Sequence, residues 1–124
     1  MNKRILLIED NEQNRYLVAF LMRARGWEVA HAEDGPAGLA LAAEVDPALI
    51  LLDIQLPGMD GYEVARRLRA LPTLENIPIV AVTSYAMPGD RERCLAAGCT
   101  GYLEKPIDPE TFAAATEQFL EPAS

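Results

Sequence analysis

Three carboxylates, a hydroxyl and an ammonium occupy the same place in a repeated pattern, directly after a short run of mostly apolar residues. Residues 5–8 (ILLI) lead into Glu9-Asp10, residues 49–52 (LILL) into Asp53, residues 79–82 (IVAV) into Thr83, and residues 101–104 (GYLE) into Lys105. Brought together, three carboxylates repel one another and are costly to strip of water. A hard divalent cation resolves that conflict. Mg2+ takes oxygen ligands, keeps several waters, and is commonly held by one or two carboxylates together with phosphate oxygens. Lys105 adds a mobile positive charge that can pair with a carboxylate or a phosphoryl oxygen, and Thr83 adds a hydroxyl donor. The set fits phosphoryl chemistry with Asp53 as nucleophile, because carboxylates form aspartyl-phosphates. Such transfer depends on in-line placement and on neutralising the equatorial oxygens, which the cation, the ammonium and the hydroxyl would supply. No general base is needed where a carboxylate already ionised at neutral pH attacks.

For these groups to meet, the runs must be parallel strands with their C-terminal ends on one edge of a sheet. Four apolar residues in succession before Asp53 read as a strand buried on both faces. In open α/β sheets, ligands bind at the carboxyl ends of the strands. Strands are expected at residues 3–8, 27–31, 48–52, 79–82 and 101–104. Asn11 is a suitable N-cap for a first helix with Leu17, Phe20, Leu21 and Ala24 inward, ended by Gly26. Asp34-Gly35-Pro36 opens a second helix with Leu39, Ala42 and Ala43 inward. Asp60, with Glu63 three residues on, resembles a capping box ahead of a third helix carrying Val64, Ala65, Leu68 and Leu71. Pro88-Gly89-Asp90 introduces a fourth helix that stops near Gly98. Asp108 as N-cap and Pro109 at the first helical position open a fifth, with Phe112, Ala115, Thr116 and Phe119 inward. Five strands alternating with five helices through short connections predict an α/β fold, a parallel sheet covered on both faces with right-handed crossovers.

The chain has 124 residues, 50% hydrophobic and 24% charged. That composition predicts one soluble globular domain spanning residues 1–124, with only residues 121–124 as a loose tail. The formal net charge of −8 disfavours binding to a nucleic-acid backbone and suits a basic protein partner or a divalent cation. No apolar run approaches the roughly 20 residues of a membrane helix. The basic N-terminus meets acids at once and lacks a small-residue cleavage site, so it is not a signal peptide and the cytoplasm is expected. Cys94 and Cys99 have neither metal nor redox spacing and read as small buried apolar residues. His31 reads as a surface residue at the sheet edge and Trp27 as packing. Met59 and Met87 are loop methionines that could line a partner surface. Taken singly, Asp53 reads as a cap or solubiliser, Thr83 as a β-former, Lys105 as a solvated surface lysine and Tyr102 as half-buried packing. Their convergence with Glu9 and Asp10 is what points to a site.

The acidic pair, DIQLPGMDG around Asp53, VTS after the fourth strand and the Lys-Pro pair after the fifth resemble the response-regulator receiver domains of two-component signalling. The likeness runs along essentially the whole chain. The stretch 80–106 looks particularly like DivK-type single-domain receivers and the receiver modules of hybrid histidine kinases. The resemblance implies a flavodoxin-like (βα)5 three-layer sandwich with strand order 2-1-3-4-5. It implies that Asp53 accepts a phosphoryl group from a phosphohistidine of a histidine kinase or histidine phosphotransfer protein. Asp10 would bind Mg2+ directly, Glu9 mainly through water, and Asp53 and the backbone carbonyl of Gln55 would complete the protein ligands. Thr83 and Lys105 would contact the phosphoryl group, and Tyr102 would turn inward as Thr83 is drawn to it. The Lys105–Pro106 bond would be cis. Gln55 and Tyr85 occupy positions that influence phosphate lifetime in similar receivers. The family's first acid is more often Asp, where this chain has Glu9.

These readings converge on a phosphorylation-dependent signalling switch. Phosphorylation would reposition the loop 83–89 and alter the face made by the fourth helix, fifth strand and fifth helix. Because the chain ends directly after the fifth helix, output is expected through a downstream protein target, with no nucleic acid and no membrane. The alternatives are a phosphorelay intermediate or a receiver excised from a hybrid histidine kinase. An FMN electron-transfer protein of similar fold would need phosphate donors in the first loop, where Glu9-Asp10 would repel the ligand. A phosphatase with an aspartyl nucleophile would be expected to carry an acid/base Asp two residues later, where this chain has Gln55. The chain is therefore expected to catalyse only its own phosphorylation and slow dephosphorylation, not to act as a conventional enzyme.

Overall fold

The structure, a computed structural model, describes residues 2–84 and 88–120. In chain order the elements are β1 (Arg4–Ile8), α1 (Glu12–Arg23), β2 (Glu28–Ala32), α2 (Gly35–Val45), β3 (Leu49–Asp53), α3 (Gly61–Arg69), β4 (Ile79–Thr83), α4 (Asp90–Ala96), β5 (Gly101–Glu104) and α5 (Phe112–Glu117). The five strands form one sheet in the order β2-β1-β3-β4-β5, and every pairing is parallel. The register aligns Ile8 with Ala32 and Leu52, Asp53 with Val82, and Thr83 with Glu104. The strands therefore finish together.

Two apolar layers sandwich the sheet. On one face Val18 and Met22 of α1 and Phe112 of α5 pack on Ile5, Leu7, Leu49, Leu51, Val80 and Val82. On the other, Ala42 of α2, Val64, Ala65 and Leu68 of α3 and Cys94 of α4 pack on Leu6, Ile8, Ile50, Leu52, Ile79 and Ala81. Successive side chains of a strand point to opposite faces. Strands covered on both sides therefore need apolar residues at every position, and every residue of β3 and β4 is buried.

The helix starts follow capping chemistry. Asn11 Oδ1 accepts from Asn14 N at 2.8 Å, Asp34 Oδ1 from Ala37 N at 2.8 Å, and Asp60 Oδ1 from Glu63 N at 2.9 Å. Only half of the expected capping box forms. Glu63 turns along its own helix and pairs with Arg66 at 3.0 Å and Arg67 at 2.9 Å. The inner face of α1 differs from expectation. Phe20 is 60% exposed and Ala24 is exposed; Val18, Ala19 and Met22 are buried, with Leu17 and Leu21 at the flanks. In α2, Ala42 is buried and Ala43 exposed. The fifth helix begins later than Asp108-Pro109 suggested. Asp108 O accepts from Thr111 N and Phe112 N, and its Oδ1 accepts from Glu110 N, so a tight turn precedes the helix. Cys94 and Cys99 are both free thiols, buried in the core, and His31 is exposed on the edge strand.

Two polar clamps secure the edge opposite the strand C-termini. Arg69 Nε and Nη2 donate to Gly98 O at 3.0 and 2.8 Å, and its Nη1 donates to Leu74 O and Ile77 O at 2.7 and 2.8 Å. Glu117 accepts from Arg25 Nε at 2.9 Å and from the indole nitrogen of buried Trp27 at 2.9 Å, which ties α5 to the α1–β2 connection.

Candidate functional site

The C-terminal edge of the sheet gathers the charged residues. Glu9 follows β1 and extends its ladder, donating from its backbone N to Ala32 O at 3.0 Å. Asp53 and Thr83 are the last residues of β3 and β4. Lys105 follows β5, with its backbone N on Thr83 O at 2.8 Å. Glu9, Asp53 and Thr83 are buried, Lys105 is half-buried, and Asp10 is exposed at the rim. One carboxylate oxygen from each of Glu9, Asp10 and Asp53 lies within 4.8 Å of the others. Lys105 Nζ sits 3.1 Å from Glu9 Oε1 and 3.3 Å from Asp53 Oδ2. The Lys105–Pro106 peptide is cis.

Backbone donors fix the carboxylates. Asp53 Oδ1 accepts from Gln55 N at 2.9 Å, and Glu9 Oε2 accepts from Asn11 N at 3.2 Å. The turn after Asp53 is pressed against the start of α3, where Gly61 N donates to Ile54 O at 2.9 Å. A Cβ at Gly61 would stand 2.3 Å from Ile54 Cα and 2.8 Å from Asp53 O, so only glycine permits this approach.

One ammonium faces three carboxylates, and the deficit shows in Glu9. Burial is the main reason its carboxyl is pushed up to about 7. A hydrogen bond with Asp53 and the charge of Asp53 push the same way, while Lys105 and Asn11 N pull it down. A buried cluster of hard oxygen donors that repel one another fits a divalent cation such as Mg2+. Lys105 occupies part of that role in the metal-free protein.

Three participants make contacts not apparent from sequence, which marks Gln55 only for its backbone carbonyl and its influence on phosphate lifetime. Arg15 Nη1 donates to Glu9 O at 3.1 Å and Asp10 O at 3.4 Å, holding the acidic loop from the first turn of α1. The Gln55 side chain accepts from Ser84 Oγ at 2.5 Å, linking the Asp53 loop to the residue after Thr83. Ser84 is the third of these. The only sequence signal for Arg15 is its position six residues after Glu9, one turn into the helix. Tyr102 is half-buried and packs against the core beneath α2, α3 and α4. It lies on β5 opposite Ala81, two residues from Thr83 along β4. Met59 is half-buried on the same core. Residues 85–87 of the loop 83–89, with Tyr85 and Met87 among them, and the tail 121–124 fall outside the described residues.

Residues 5–117 match the family model for the response regulator receiver domain. Over 120 residues the chain is 42% identical to the polar-differentiation response regulator DivK of Brucella ovis, covering 97% of this chain and 98% of that protein. Among solved structures it resembles the chemotaxis response regulator CheY4 of Vibrio cholerae, with a TM-score of 0.91, 28% identity and coverage of 96% and 99% of the two chains. It also resembles the receiver domain of the sensor histidine kinase PA1611 from Pseudomonas aeruginosa PAO1. That likeness has a TM-score of 0.86, 34% identity and coverage of 97% and 98%, and that structure has a magnesium ion coordinated in its active-site cleft. With its fold, its clustered strand-end acids and these likenesses together, the chain belongs to the response regulator receiver domain family.

Proposed function

We propose that residues 1–124 are a single receiver domain in which Asp53 accepts a phosphoryl group from a phosphohistidine on a histidine kinase or histidine phosphotransfer protein. An Asp53 oxygen forms the new bond to phosphorus, the P–N bond breaks, and the imidazole leaves with that electron pair. Glu9, Asp10, Asp53 and the Gln55 backbone carbonyl would hold Mg2+, with Glu9 acting mainly through water. The ion, when bound, neutralises charge on the phosphoryl oxygens. Gln55 N keeps the Asp53 carboxylate in a fixed plane, and Lys105 exchanges its contact with Asp53 for one with a phosphoryl oxygen. Thr83 donates its hydroxyl to another. The chain catalyses this self-modification and its slow hydrolysis and no turnover on other substrates.

The observation that carries this reading is the bridge from Lys105 Nζ to Glu9 and Asp53 inside a three-carboxylate cluster. Phosphorylation adds charge and acceptor oxygens that draw Thr83 and Tyr102 inward and change the α4–β5–α5 face presented to a protein target. Moving such a switch from 1:99 to 99:1 requires about 5.5 kcal/mol of differential stabilisation. No described helix is long and apolar enough to cross a membrane. Incubation with acetyl phosphate and MgCl2 should add one phosphoryl group, which hydroxylamine releases as inorganic phosphate, leaving a hydroxamate, as an acyl phosphate requires. Asp53→Asn should abolish it. Equal incorporation by the variant refutes the assignment of the acceptor.

A relay role is the second reading, favoured by the 34% identity to a receiver domain of a sensor histidine kinase. A relay member returns phosphate rapidly to a histidine phosphotransfer protein. An output switch instead changes its affinity for a target that is never phosphorylated.

A further inference from the structure

We propose that the β2 edge of the sheet is a self-association surface, occupied by a second copy of this chain. β2 pairs only with β1, and its outer backbone groups face away from the sheet except for Val29 O, which accepts from Arg23. Such an edge is a template for further association unless something covers or blocks it. A groove flanks it on each side, and exposed His31 borders both.

The two grooves are opposites. On the α1 side the groove is about 600 Å³ and is lined by Glu12, Arg15, Tyr16, Ala19, Phe20 and Arg23, with Arg15 paired to Glu33 across the edge at 3.4 Å. Tyr16 is 74% exposed and Phe20 60%, one helical turn apart, so they form an aromatic ridge on the solvent side of α1. On the α2 side the groove is about 540 Å³ and is lined by Glu33, Asp34, Ala37, Ala40, Leu41 and Glu44. One side offers large projecting rings beside arginines. The other offers a floor of small side chains beside carboxylates. Arg23 spends a guanidinium nitrogen on Val29 O at 3.1 Å, and among the described residues neither it nor Glu44 makes an ion pair.

α1 and α2 pack on opposite faces of the sheet, with the edge strand between them. A twofold axis running along that edge, parallel to β2, reverses the faces. It sets the aromatic and basic half of one copy against the small and acidic half of the other, and the converse contact follows by symmetry. This is the self-complementarity that an isologous dimer needs. Arg23 and Glu44, one on each side of the edge, select a second copy over an unrelated acidic protein, because one surface carries both a basic group and its acidic complement.

The test is sedimentation of the full chain across a concentration series at low and high salt. Weight-average mass should climb toward that of two chains at low salt, and high salt should shift the transition to higher concentration, because exposed charges are screened. Phe20→Ala removes an exposed ring, leaves the core untouched, and should weaken association at least about tenfold, as expected for loss of a central aromatic anchor. Arg23→Glu and Glu44→Arg should each weaken it, and the double variant should recover the parent's midpoint. Circular dichroism confirms folding of each variant, and labelling by acetyl phosphate separates this proposal from that for Asp53. A chain that stays monomeric throughout refutes the proposal and leaves the groove to a different protein. A dimer indifferent to all three single substitutions refutes it by placing the contact elsewhere.

Discussion

Glu9→Gln tests the acidic cluster without any phosphodonor. In the folded, metal-free protein the Glu9 carboxyl is 2% exposed, shares Lys105 with Asp53, and is pushed up to about 7. In the unfolded chain it is an ordinary glutamate, with the usual value of 4.5. Between those values the folded protein retains a proton that the unfolded chain has already released. The proton then favours folding, so Glu9's contribution is intact below the unfolded value and is lost as pH rises through about 7. Each tenfold step in proton affinity is about 1.4 kcal/mol, which makes the full loss roughly 3 kcal/mol. For a chain of this length that is on the order of 10 °C in melting temperature.

Glu63 and Glu117 behave in the opposite sense. Hydrogen bonds from Arg67 and Arg66 hold Glu63 below the ordinary value, and those from Arg25 and Trp27 do the same for Glu117. Both contribute stability that is fully present above the unfolded value and is lost as pH falls through the lower folded value. The parent's profile therefore mixes signs, and only the difference between parent and Glu9→Gln isolates the cluster. Denaturant unfolding in EDTA at constant ionic strength, from about pH 5 to about pH 8, should show that difference moving by roughly 3 kcal/mol in favour of the variant. Millimolar MgCl2 at the upper end should restore much of the parent's loss by mass action and help the variant less. A difference that does not change with pH, or a parent whose stability ignores Mg2+ where Glu9 is ionised, refutes the account of the site as short of positive charge.

Lys105→Met removes the ammonium that serves two buried carboxylates, and should destabilise the metal-free protein by up to about 3 kcal/mol near pH 8. The same unfolding experiment should show a smaller cost in acid, where Glu9 carries a proton. Gly61→Ala forces a methyl group onto the backbone of Asp53 and Ile54. It should cost more than about 2 kcal/mol by thermal melting and should also depress acetyl phosphate labelling. Arg69→Met withdraws the donors that serve the carbonyls of Gly98, Leu74 and Ile77, at a cost of about 3 kcal/mol. Arg69→Lys should recover little of it in the same assay, because an ammonium cannot reproduce the forked geometry.

The strands and the convergence of their ends could be read from sequence because burial on both faces leaves an uninterrupted apolar run and an abrupt polar stop. The inner face of α1 could not. Residues 16–22 are almost all apolar, so the pattern covers nearly the whole helix circumference and leaves the choice of face to packing. Val18 and Met22 take the core side, and Phe20, 200° round from Val18 at about 100° per residue, is left in solvent. The start of α5 was misplaced because Asp108 does cap, but it caps a turn. Arg15, Arg69 and the Gln55 side chain act through contacts to backbone carbonyls or to Ser84. Such contacts leave no periodicity, and an arginine or glutamine near a loop otherwise reads as solvated.

Stability and cation binding are opposed at this edge, and the opposition has a physical origin in topology. Parallel strands must place all their C-termini together, so acids carried at several strand ends become one cluster whatever its cost. In the metal-free protein Lys105 pairs with Glu9, whose raised proton affinity lets it hold a proton as well, and a divalent cation would compete with both. A fourth acid at the edge would add repulsion that Lys105 could not offset. An added lysine would stabilise the fold by occupying the space a divalent ion needs. The observed set of three carboxylates and one ammonium lies between these limits. It leaves three carboxylates facing one ammonium at the edge, and relief of their repulsion would supply part of the binding free energy for a divalent ion.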